Sequence, residues 1–328
     1  MLTMKPNRLF AEKIDAALEN GKFPEQPENL YTPITYILSL SGKRIRPLLV
    51  LLGADLFGIE RIEDALPASV AIEYFHNFSL IHDDIMDKAP LRRGQETVHQ
   101  KWNESIAILS GDALLVKAYE QLSRCPARHI PELLRVFNKV ALEVCEGQQL
   151  DMDFETLNGI QQGEYVDMIR SKTSVLLGGA LEMGAILAGA SVENRRRLYD
   201  FGVNLGIAFQ LQDDILDAFG DPGTFGKQVG GDIIVNKKTI LHILLREAVQ
   251  DNDQELFQRI LSLSESASEE KIEAMKLLYE KYGIQEKADA LKQEYTVLAY
   301  QWLKEIDVDY ERKSELFELA NRLMNRRR

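Results

Sequence analysis

Cysteine is scarce in this chain of 328 residues, in which only Cys125 and Cys145 occur. Neither belongs to a CxxC pair, the spacing that many zinc and redox sites use. This pattern excludes a disulfide framework and a zinc ribbon, and it predicts a reducing, cytoplasmic location. The N-terminal residues include no apolar segment of the kind found in signal peptides, so we expect no signal peptide.

Positive charge is also in short supply. The 39 lysines and arginines oppose 51 aspartates and glutamates, which gives a net charge of −12. A surface of that sign is unsuited to general binding of nucleic acid or of anionic membranes. We therefore expect no nucleic-acid partner, and any anionic ligand must be held by a local basic cluster or by metal ions.

Long apolar runs are nearly absent. The run that approaches the length of a membrane span is SVLLGGALEMGAILAGASV, from Ser174 to Val192. It contains Glu182 and many small residues, and it lacks flanking aromatic residues. A helix buried in a bundle and packed closely through glycine and alanine fits this composition better than a transmembrane segment.

Runs of alternating apolar and polar residues, which indicate half-buried strands, are missing as well. Helical spacing of apolar residues recurs instead, as along Ala68, Ile72, Phe75, Ser79 and His82. No low-complexity linker marks a boundary between domains. The sequence predicts an all-α fold with a single domain over residues 1–328, with its core at about 30–248 and more charged peripheral helices at 249–328.

Two aspartate clusters, DDIMD and DDILD, each follow an apolar helical segment. Residues four apart share a helix face, where like charges destabilise the helix unless a cation compensates them. Oxygen ligands without histidine or cysteine favour Mg²⁺ or Mn²⁺ over zinc or copper. The pattern predicts a divalent-metal site whose candidate ligands are Asp83, Asp84, Asp87, Asp213, Asp214 and Asp217.

A single DDxxD segment is also typical of a solvated helix end, where carboxylates oppose the helix dipole. Two copies with the same apolar lead-in and basic followers favour a shared function. The accompanying basic residues are Lys43, Arg44, Arg46, Arg92, Arg93, Lys172, Lys227, Lys237 and Lys238. We interpret Arg44 and Lys238 as ordinary surface charges. The others provide enough charge to bind two polyanionic substrates, one through metal ions and one through direct contacts.

The segments GKRIRP, DDIMDKAPLRRG, LSGDALL, EGQQLD, KTSVL, FQLQDDILD, GKQVGGDI and NKKT follow one another between about Gly42 and Lys238. In these motifs and their order, the chain resembles the trans-isoprenyl diphosphate synthases (polyprenyl synthetases). The resemblance implies an isoprenoid-synthase-type helical bundle around a central cavity, and a homodimer. It also implies Mg²⁺-dependent, head-to-tail condensation of isopentenyl diphosphate with an allylic diphosphate. Three Mg²⁺ ions are expected with substrate bound, and Mn²⁺ is expected to substitute.

The resemblance also implies roles for individual residues. Metal ligation falls to Asp83, Asp87 and Asp213, supported by Asp84, Asp214 and Asp217. Binding of the allylic diphosphate falls to Arg92, Lys172, Lys227 and Lys237, and binding of isopentenyl diphosphate to Lys43, Arg46, His76 and Arg93. Thr173 and Gln210 are expected to direct oxygens toward the nascent carbocation, and Gln148 and Asp151 to line the same cavity.

Product length is expected to depend on the helix that ends near Asp83, because the growing chain runs along it. Phe78 carries the aromatic ring that resembles the floor of short-chain synthases. Phe75 lies one turn earlier, and Ser79 is small. This combination resembles archaeal geranylgeranyl diphosphate synthases, with farnesyl diphosphate or a longer product as alternatives.

Two rival functions belong to other classes. A class I terpene cyclase also uses an aspartate motif with Mg²⁺, but it typically has a different second motif and needs no isopentenyl pocket. A non-catalytic subunit of a heteromeric synthase would retain the fold without turnover. The unbroken motifs favour the elongating enzyme.

Overall fold

The computed structural model describes residues 6–40, 42–220 and 229–325. These residues are mostly helical, which confirms the predicted all-α fold. Lys227 lies outside the described residues, so its role stays a prediction. In chain order the α-helices are α1 Pro6–Asn20, α2 Glu28–Ser39, α3 Ile45–Leu56, α4 Leu66–Met86, α5 Val98–Lys101, α6 Glu104–Leu122, α7 Ile130–Thr156, α8 Gln162–Ile169, α9 Val175–Leu187, α10 Val192–Phe219, α11 Gly231–Ile234, α12 Ile240–Ala248, α13 Asp251–Leu261, α14 Ser268–Lys281, α15 Ile284–Glu305 and α16 Tyr310–Met324.

Shorter elements interrupt this series. Three 3₁₀ turns cover Ile62–Ala65, Ala127–His129 and Glu265–Ala267, and a π-helical turn covers Arg170–Ser174. A small antiparallel hairpin pairs β1, Leu91–Arg92, with β2, Gln95–Glu96. Arg93 and Gly94 have φ angles of 54° and 75°, and two consecutive positive φ angles allow the tight two-residue turn that joins the strands.

The chain folds into two compact units. Unit 1 contains the described residues of Met1–Leu142, Leu176–Tyr199 and Ile306–Glu315. Unit 2 contains those of Glu143–Val175, Asp200–Glu305 and Leu316–Arg328. Each unit is assembled from separate stretches of sequence, so long-range packing defines it. The single domain over residues 1–328 stays a prediction.

In unit 1, α4 packs lengthwise along α6, with α3 on another side. The apolar stripe predicted on α4 is buried at Ala68, Ile72 and Phe75. The apolar run that resembled a membrane span forms α9, as the prediction of a buried helix required. Its Glu182 pairs with Arg135 at 3.5 Å. No helix in the described ranges is both long and apolar enough to cross a membrane.

In unit 2, the middle of α10 buries Phe201, Leu205 and Leu211. The neighbouring helix α12 packs against α15 and buries Ile240 and Ile243. This apolar packing holds the end of α10, which carries the second aspartate motif, at a fixed position in the unit.

Candidate active site

In unit 1, the first aspartate motif lies at the C-terminal end of α4. Asp83 is partly exposed and Asp87, which ends the helix, is exposed. Asp84 differs, because only 1% of its side chain is exposed. It accepts hydrogen bonds from Arg92, from Nε at 2.8 and 2.9 Å and from Nη2 at 2.6 Å. Burial raises the pKa of Asp84, and the bonds from Arg92 oppose that rise.

The neighbouring Arg93 points elsewhere. Its Nη1 donates to the carbonyl oxygen of Leu40 at 3.2 Å, and its guanidinium lies against Gly42, where a Cβ atom would stand 2.7 Å from Nη1. The hairpin turn therefore separates the two arginines that are adjacent in sequence. One of them joins the aspartate motif, and the other joins the segment that leads into α3.

A cationic cluster surrounds His76 on α4. Arg46 Nη1 donates to His76 Nε2 at 3.2 Å, and an arginine can only donate, so His76 is neutral with its proton on Nδ1. Burial lowers the pKa of His76 well below its usual value, and Arg46 and Arg93 add to that effect. Burial also lowers the pKa of Arg46 to about 10. Arg46 Nε is buried and has no hydrogen-bond partner within the described ranges. A buried cationic group of this kind favours an anionic ligand.

The interpretation of Arg44 as an ordinary surface charge was wrong. Its side chain is only 13% exposed and pairs with Glu73, of which 2% is exposed. It also donates to the carbonyl oxygen of Leu38, and Asn77 Nδ2 donates to Glu73 at 3.0 Å. Arg44 therefore compensates a buried carboxylate beneath the cationic cluster, and this structural role requires its charge.

In unit 2, a cleft of about 240 Å³ opens beside the second aspartate motif. Its walls are rich in carboxylates and also carry four cationic or polar groups from the predicted set. The lining residues are Asp151, Tyr165, Met168, Ile169, Lys172, Thr173, Gln210, Asp213, Asp214, Asp217, Asp232 and Lys237. The structure thus brings together most of the site residues that the sequence predicted in this part of the chain.

Asp214 is the buried member of the second motif, with 4% of its surface exposed. It accepts hydrogen bonds from the Tyr165 hydroxyl at 2.5 Å, from Gln210 Nε2 at 3.4 Å and from the Ile240 amide at 3.4 Å. Burial raises the pKa of Asp214 to about 7, and the Asp232 carboxylate adds to the rise. Asp214 corresponds to Asp84 in its motif, and both are held by neighbouring donors.

Lys172 and Thr173 lie in the π turn between α8 and α9. The turn fits closely against two glycines: a Cβ atom on Gly147 of α7 would stand 2.7 Å from the Ser171 carbonyl carbon, and one on Gly206 of α10 would stand 2.7 Å from the Cα atom of Ser174. Single π turns often occur at functional sites. Here the turn presents both side chains to the cleft.

Lys172 Nζ donates to Asp151 Oδ2 at 2.5 Å, and both side chains are about four-fifths buried, at 22% and 18% exposure. This contact places Lys172 among the carboxylates of the cleft. The structure differs from the prediction for Gln148, which is only 6% exposed and is not among the residues that line the cleft.

The segment that begins at residue 229 is tied to Asp217. The Asp217 carbonyl oxygen accepts from the Gly230 amide at 2.6 Å, and its carboxylate accepts from the Asp232 amide at 3.0 Å. From the other side, Lys271 of α14 donates to the Ile234 carbonyl oxygen at 2.9 Å. These bonds hold the segment that carries Asp232 and Lys237 at the cleft.

The interpretation of Lys238 as an ordinary surface charge was also wrong. Its ammonium donates to the carbonyl oxygens of Phe154 at 2.7 Å, Glu155 at 3.0 Å and Leu157. The carbonyls of Phe154 and Glu155 lie in the last turn of α7, where the helix itself supplies no donors, and that of Leu157 follows the helix directly. A cation at the C-terminus of a helix also compensates the helix dipole, so Lys238 caps α7.

Sequence reasoning missed Tyr165 and Asp232 as lining residues of the cleft. Tyr165 lies in an unremarkable stretch, QGEYVDM, and nothing in the sequence links it to Asp214. Asp232 follows Gly230 and Gly231 at the start of α11, within the GKQVGGDI motif, and this glycine pair was the available signal. Gly230 has a φ of 82°, which a residue with a side chain rarely adopts.

The residues expected to set product length lie on α4 in unit 1. Phe75 is 1% exposed, Phe78 is partly exposed, and the two rings lie 5.6 Å apart. Ser79 is partly exposed and donates to the His76 carbonyl oxygen at 2.9 Å. Phe78 is therefore the large aromatic side chain of this set that retains open surface.

The two units offer complementary chemistry. Unit 1 holds a cationic cluster and one aspartate motif, and unit 2 holds Lys172 and a carboxylate cleft. Within the described part of the chain, no three His, Cys, Asp or Glu side chains form a ready-made ligand cluster. Mg²⁺ usually takes one or two protein carboxylates together with water and substrate phosphate oxygens. The oxygen donors on both motifs fit that ion, and the arginines and lysines fit diphosphate.

Comparison with known proteins agrees with this chemistry. Residues 27–278 match the family model described as Polyprenyl synthetase. The chain is 43% identical to a geranylgeranyl diphosphate synthase of Methanosarcina mazei over 70% of this chain and 71% of that protein. It is 40% identical to a short chain isoprenyl diphosphate synthase of Methanocaldococcus jannaschii over 81% of each chain.

A solved structure is similar as well. The crystal structure of a geranylgeranyl pyrophosphate synthase superposes with a TM-score of 0.91 at 44% identity and covers 99% of both chains. That similarity confirms the isoprenoid-synthase fold. The family match extends over more than half of the chain and includes both aspartate motifs. The chain therefore belongs to the polyprenyl synthetase family of prenyltransferases.

Proposed function

We propose that this protein condenses isopentenyl diphosphate with dimethylallyl, geranyl and farnesyl diphosphates, head to tail, to form geranylgeranyl diphosphate. The observation that carries the proposal is the joint presence of unbroken aspartate motifs and a cationic cluster around His76. A cluster with a buried, unpartnered Arg46 Nε suits a diphosphate that is bound without metal. The geranylgeranyl diphosphate synthases among the relatives support the product.

In the proposed reaction, the bond between C1 and the diphosphate oxygen of the allylic substrate breaks. The double bond of isopentenyl diphosphate then attacks C1, a new carbon–carbon bond forms, and a proton leaves to the departing diphosphate. Arg92 and Lys172 would stabilise the charge that develops on the leaving group. Thr173 and Gln210 would direct oxygens toward the carbocation, and Lys43, Arg46, His76 and Arg93 would orient isopentenyl diphosphate.

Mg²⁺ is part of the proposal, with Mn²⁺ able to substitute. Asp83 and Asp87 in unit 1 would supply ligands for such ions, and so would Asp213 in unit 2. When bound, the metal neutralises diphosphate charge and so makes the diphosphate a better leaving group. Asp83→Asn should reduce turnover about a hundredfold at a fixed Mg²⁺ concentration, as loss of one preorganised electrostatic group does in other enzymes. Asp309→Asn, at an exposed aspartate far along the chain, should leave turnover unchanged.

A homodimer in a cytoplasmic location is the proposed state of the enzyme. Leu109 and Val116 of α6 support the dimer, because they share a helix face and are 60% and 66% exposed. Exposed apolar side chains of this kind often mark a contact with another chain, and a second copy is the occupant that the family resemblance implies. Light scattering should give twice the chain mass, and Leu109→Lys with Val116→Lys should reduce it.

The test of function is incubation of the purified chain with labelled isopentenyl diphosphate, Mg²⁺ and each primer, followed by mass spectrometry. A twenty-carbon diphosphate from all three primers is expected. A main product of fifteen carbons, or of more than twenty, would leave the proposed reaction in place and change the proposed product. Conversion of an allylic diphosphate without consumption of isopentenyl diphosphate would indicate a terpene cyclase. Turnover that appears only with an added second subunit would indicate a heteromeric synthase.

A further inference from the structure

His82 lies on α4 between Phe78 and α6, directly before the first aspartate motif. The His82 and Phe78 rings meet edge to face, with their centroids 4.7 Å apart. His82 Nε2 lies 3.2 Å from the Ile108 carbonyl oxygen on α6. A carbonyl only accepts, so this nitrogen carries a proton and donates. The hydrogen bond fixes the imidazole against α6, with Phe78 on its other side.

Gly111 provides the space that the imidazole occupies. A Cβ atom at this position would stand 2.6 Å from His82 Cδ2 and closer still to Nε2. Real side chains do not approach so closely, so any larger residue at 111 would have to displace the imidazole. The absence of a side chain at one position of α6 thus determines where a ring on α4 lies.

The Phe78 ring is also held on the side that faces the start of α4. It contacts Phe75 at 5.6 Å, which contacts Phe137 of α7 at 5.4 Å, which in turn contacts Tyr119 of α6 at 5.1 Å. Phe75 and Phe137 are each 1% exposed, so the rings on this side of Phe78 are closely packed and have no space to move into. A displacement of His82 toward Phe78 is therefore taken up by the Phe78 ring, which retains open surface.

We propose that His82 is a specificity-determining positioning residue: wedged against Gly111, it supports the Phe78 ring and thereby sets the length of the prenyl product. The inference rests on the proposed function, in which Phe78 limits the growing chain. Phe78 lies five residues before Asp83, which corresponds to about 7.5 Å along the helix at 1.5 Å per residue. A small shift of its ring changes the depth available to the chain.

The test compares product lengths of the full-length enzyme and its variants with isopentenyl diphosphate and farnesyl diphosphate, at equal conversion. His82→Ala removes the support and should raise the ratio of longer to twenty-carbon product by about tenfold, the discrimination that one methylene-sized change in a pocket gives. Gly111→Ala should push the imidazole onto Phe78 and shift the products shorter. The double variant removes the imidazole that the new methyl group would push, so it should make products as long as those of His82→Ala.

Three further variants separate positioning from a general structural role. His82→Phe keeps a ring in contact with Phe78 and should retain the parent product length, although its turnover changes. Gly163→Ala, at a helical glycine with open space around it, and His129→Ala should both give the parent distribution. If His82→Ala fails to fold, the products of Gly111→Ala and His82→Phe decide the matter.

The outcomes distinguish this inference from its premises. Unchanged products of His82→Ala or Gly111→Ala, beside longer products of Phe78→Ala, would overturn the role of His82 alone. Unchanged products of Phe78→Ala would overturn Phe78 as the limit of the chain, and the role of His82 with it. Failure of the parent enzyme to consume isopentenyl diphosphate would overturn the proposed function itself.

Discussion

Asp84 and Arg92 form a forked ion pair in which both carboxylate oxygens of the aspartate accept from the guanidinium. Asp84 is buried, whereas its neighbour Asp83 is partly exposed. The second motif repeats this difference, since Asp214 is buried and bonded to Tyr165, while Asp213 lines the cleft. In both motifs the middle aspartate is buried and bonded to a neighbouring side chain, while the aspartate before it is partly exposed.

This difference predicts that Asp84→Asn and Asp83→Asn behave differently. Asp84→Asn leaves Arg92 without its ionised partner, so the free energy of unfolding should fall by about 1–3 kcal/mol, and KM for the allylic diphosphate should rise. The Mg²⁺ concentration at half-maximal rate should change mainly in Asp83→Asn. Denaturant unfolding and Mg²⁺ titration of the rate measure these effects.

A matched control is Glu12→Gln, which removes an ion pair with Arg8 whose side chains are 76% and 55% exposed. Exposed pairs contribute little, so this variant should unfold like the parent. An Mg²⁺ requirement that rises as much in Asp84→Asn as in Asp83→Asn would make Asp84 a metal ligand and contradict the supporting role.

Tyr165→Phe tests the corresponding support in the second motif. Loss of the hydroxyl leaves Asp214 Oδ2 with the long bond from the Ile240 amide, and a buried acceptor that loses its partner costs about 1–3 kcal/mol. Tyr300→Phe loses a hydrogen bond to Asn321 at an exposed position, where water replaces the partner. Chemical denaturation should show a clear loss of stability in the first variant and little in the second. Equal stabilities would show that the Tyr165 hydroxyl does not support Asp214.

Lys271→Met tests how α14 holds the segment that carries Asp232 and Lys237 beside the cleft. Lys271 is 2% exposed and donates to the carbonyl oxygens of Ile234 and Leu263. Its loss should lower the free energy of unfolding by about 2–3 kcal/mol and raise KM, because the segment with Asp232 and Lys237 is less well fixed.

Lys281→Met is the control on the same helix. Lys281 is 60% exposed and pairs with Asp253 at 2.6 Å, so its loss should cost about 0.5 kcal/mol or less. Parent values of KM in a destabilised Lys271→Met would limit Lys271 to a role in stability.

His242 predicts a dependence of stability on pH. Burial lowers its pKa to about 4, and nearby Arg246 and Lys238 add to the effect. In the unfolded chain His242 has an ordinary pKa near 6.5. Between about pH 4 and pH 6.5 it therefore binds a proton in the unfolded chain that it does not bind in the folded protein. Stability from neutral His242 is therefore complete above about pH 6.5 and is lost as pH falls toward 4, by about 2–3 kcal/mol.

His242→Leu keeps an apolar contact with the Phe257 ring and removes the titration. The difference in unfolding free energy between parent and variant should change by that amount between pH 7 and pH 4. Parallel pH profiles of the two proteins would contradict a depressed His242 pKa.

The sequence was sufficient for features that depend on local spacing. Helical periodicity predicted the all-α fold, and the i, i+4 spacing of Asp83 and Asp87 follows from helix geometry. Motif order predicted the family. It was insufficient for Arg44 and Lys238, because whether a cation is solvated depends on distant groups such as Glu73 or the carbonyls that end α7. The same limit hid Tyr165, whose partner Asp214 is 49 residues away.

By itself, then, the sequence determined which charged groups the protein has and on which helix face each pair lies, because those relations are set within one or two helical turns. The tertiary structure decided which of these charged groups are buried and bonded to neighbouring side chains. Asp84 and Asp83 are the same residue type in the same motif, yet Asp84 pairs with Arg92 of the hairpin and Asp83 is partly exposed. Likewise, the missing side chain of Gly111 has an effect only because α6 packs against α4, where it leaves room for His82. Burial and partnership depend on how segments pack in three dimensions, even where the partners are only eight residues apart, as Asp84 and Arg92 are, and no local pattern encodes them.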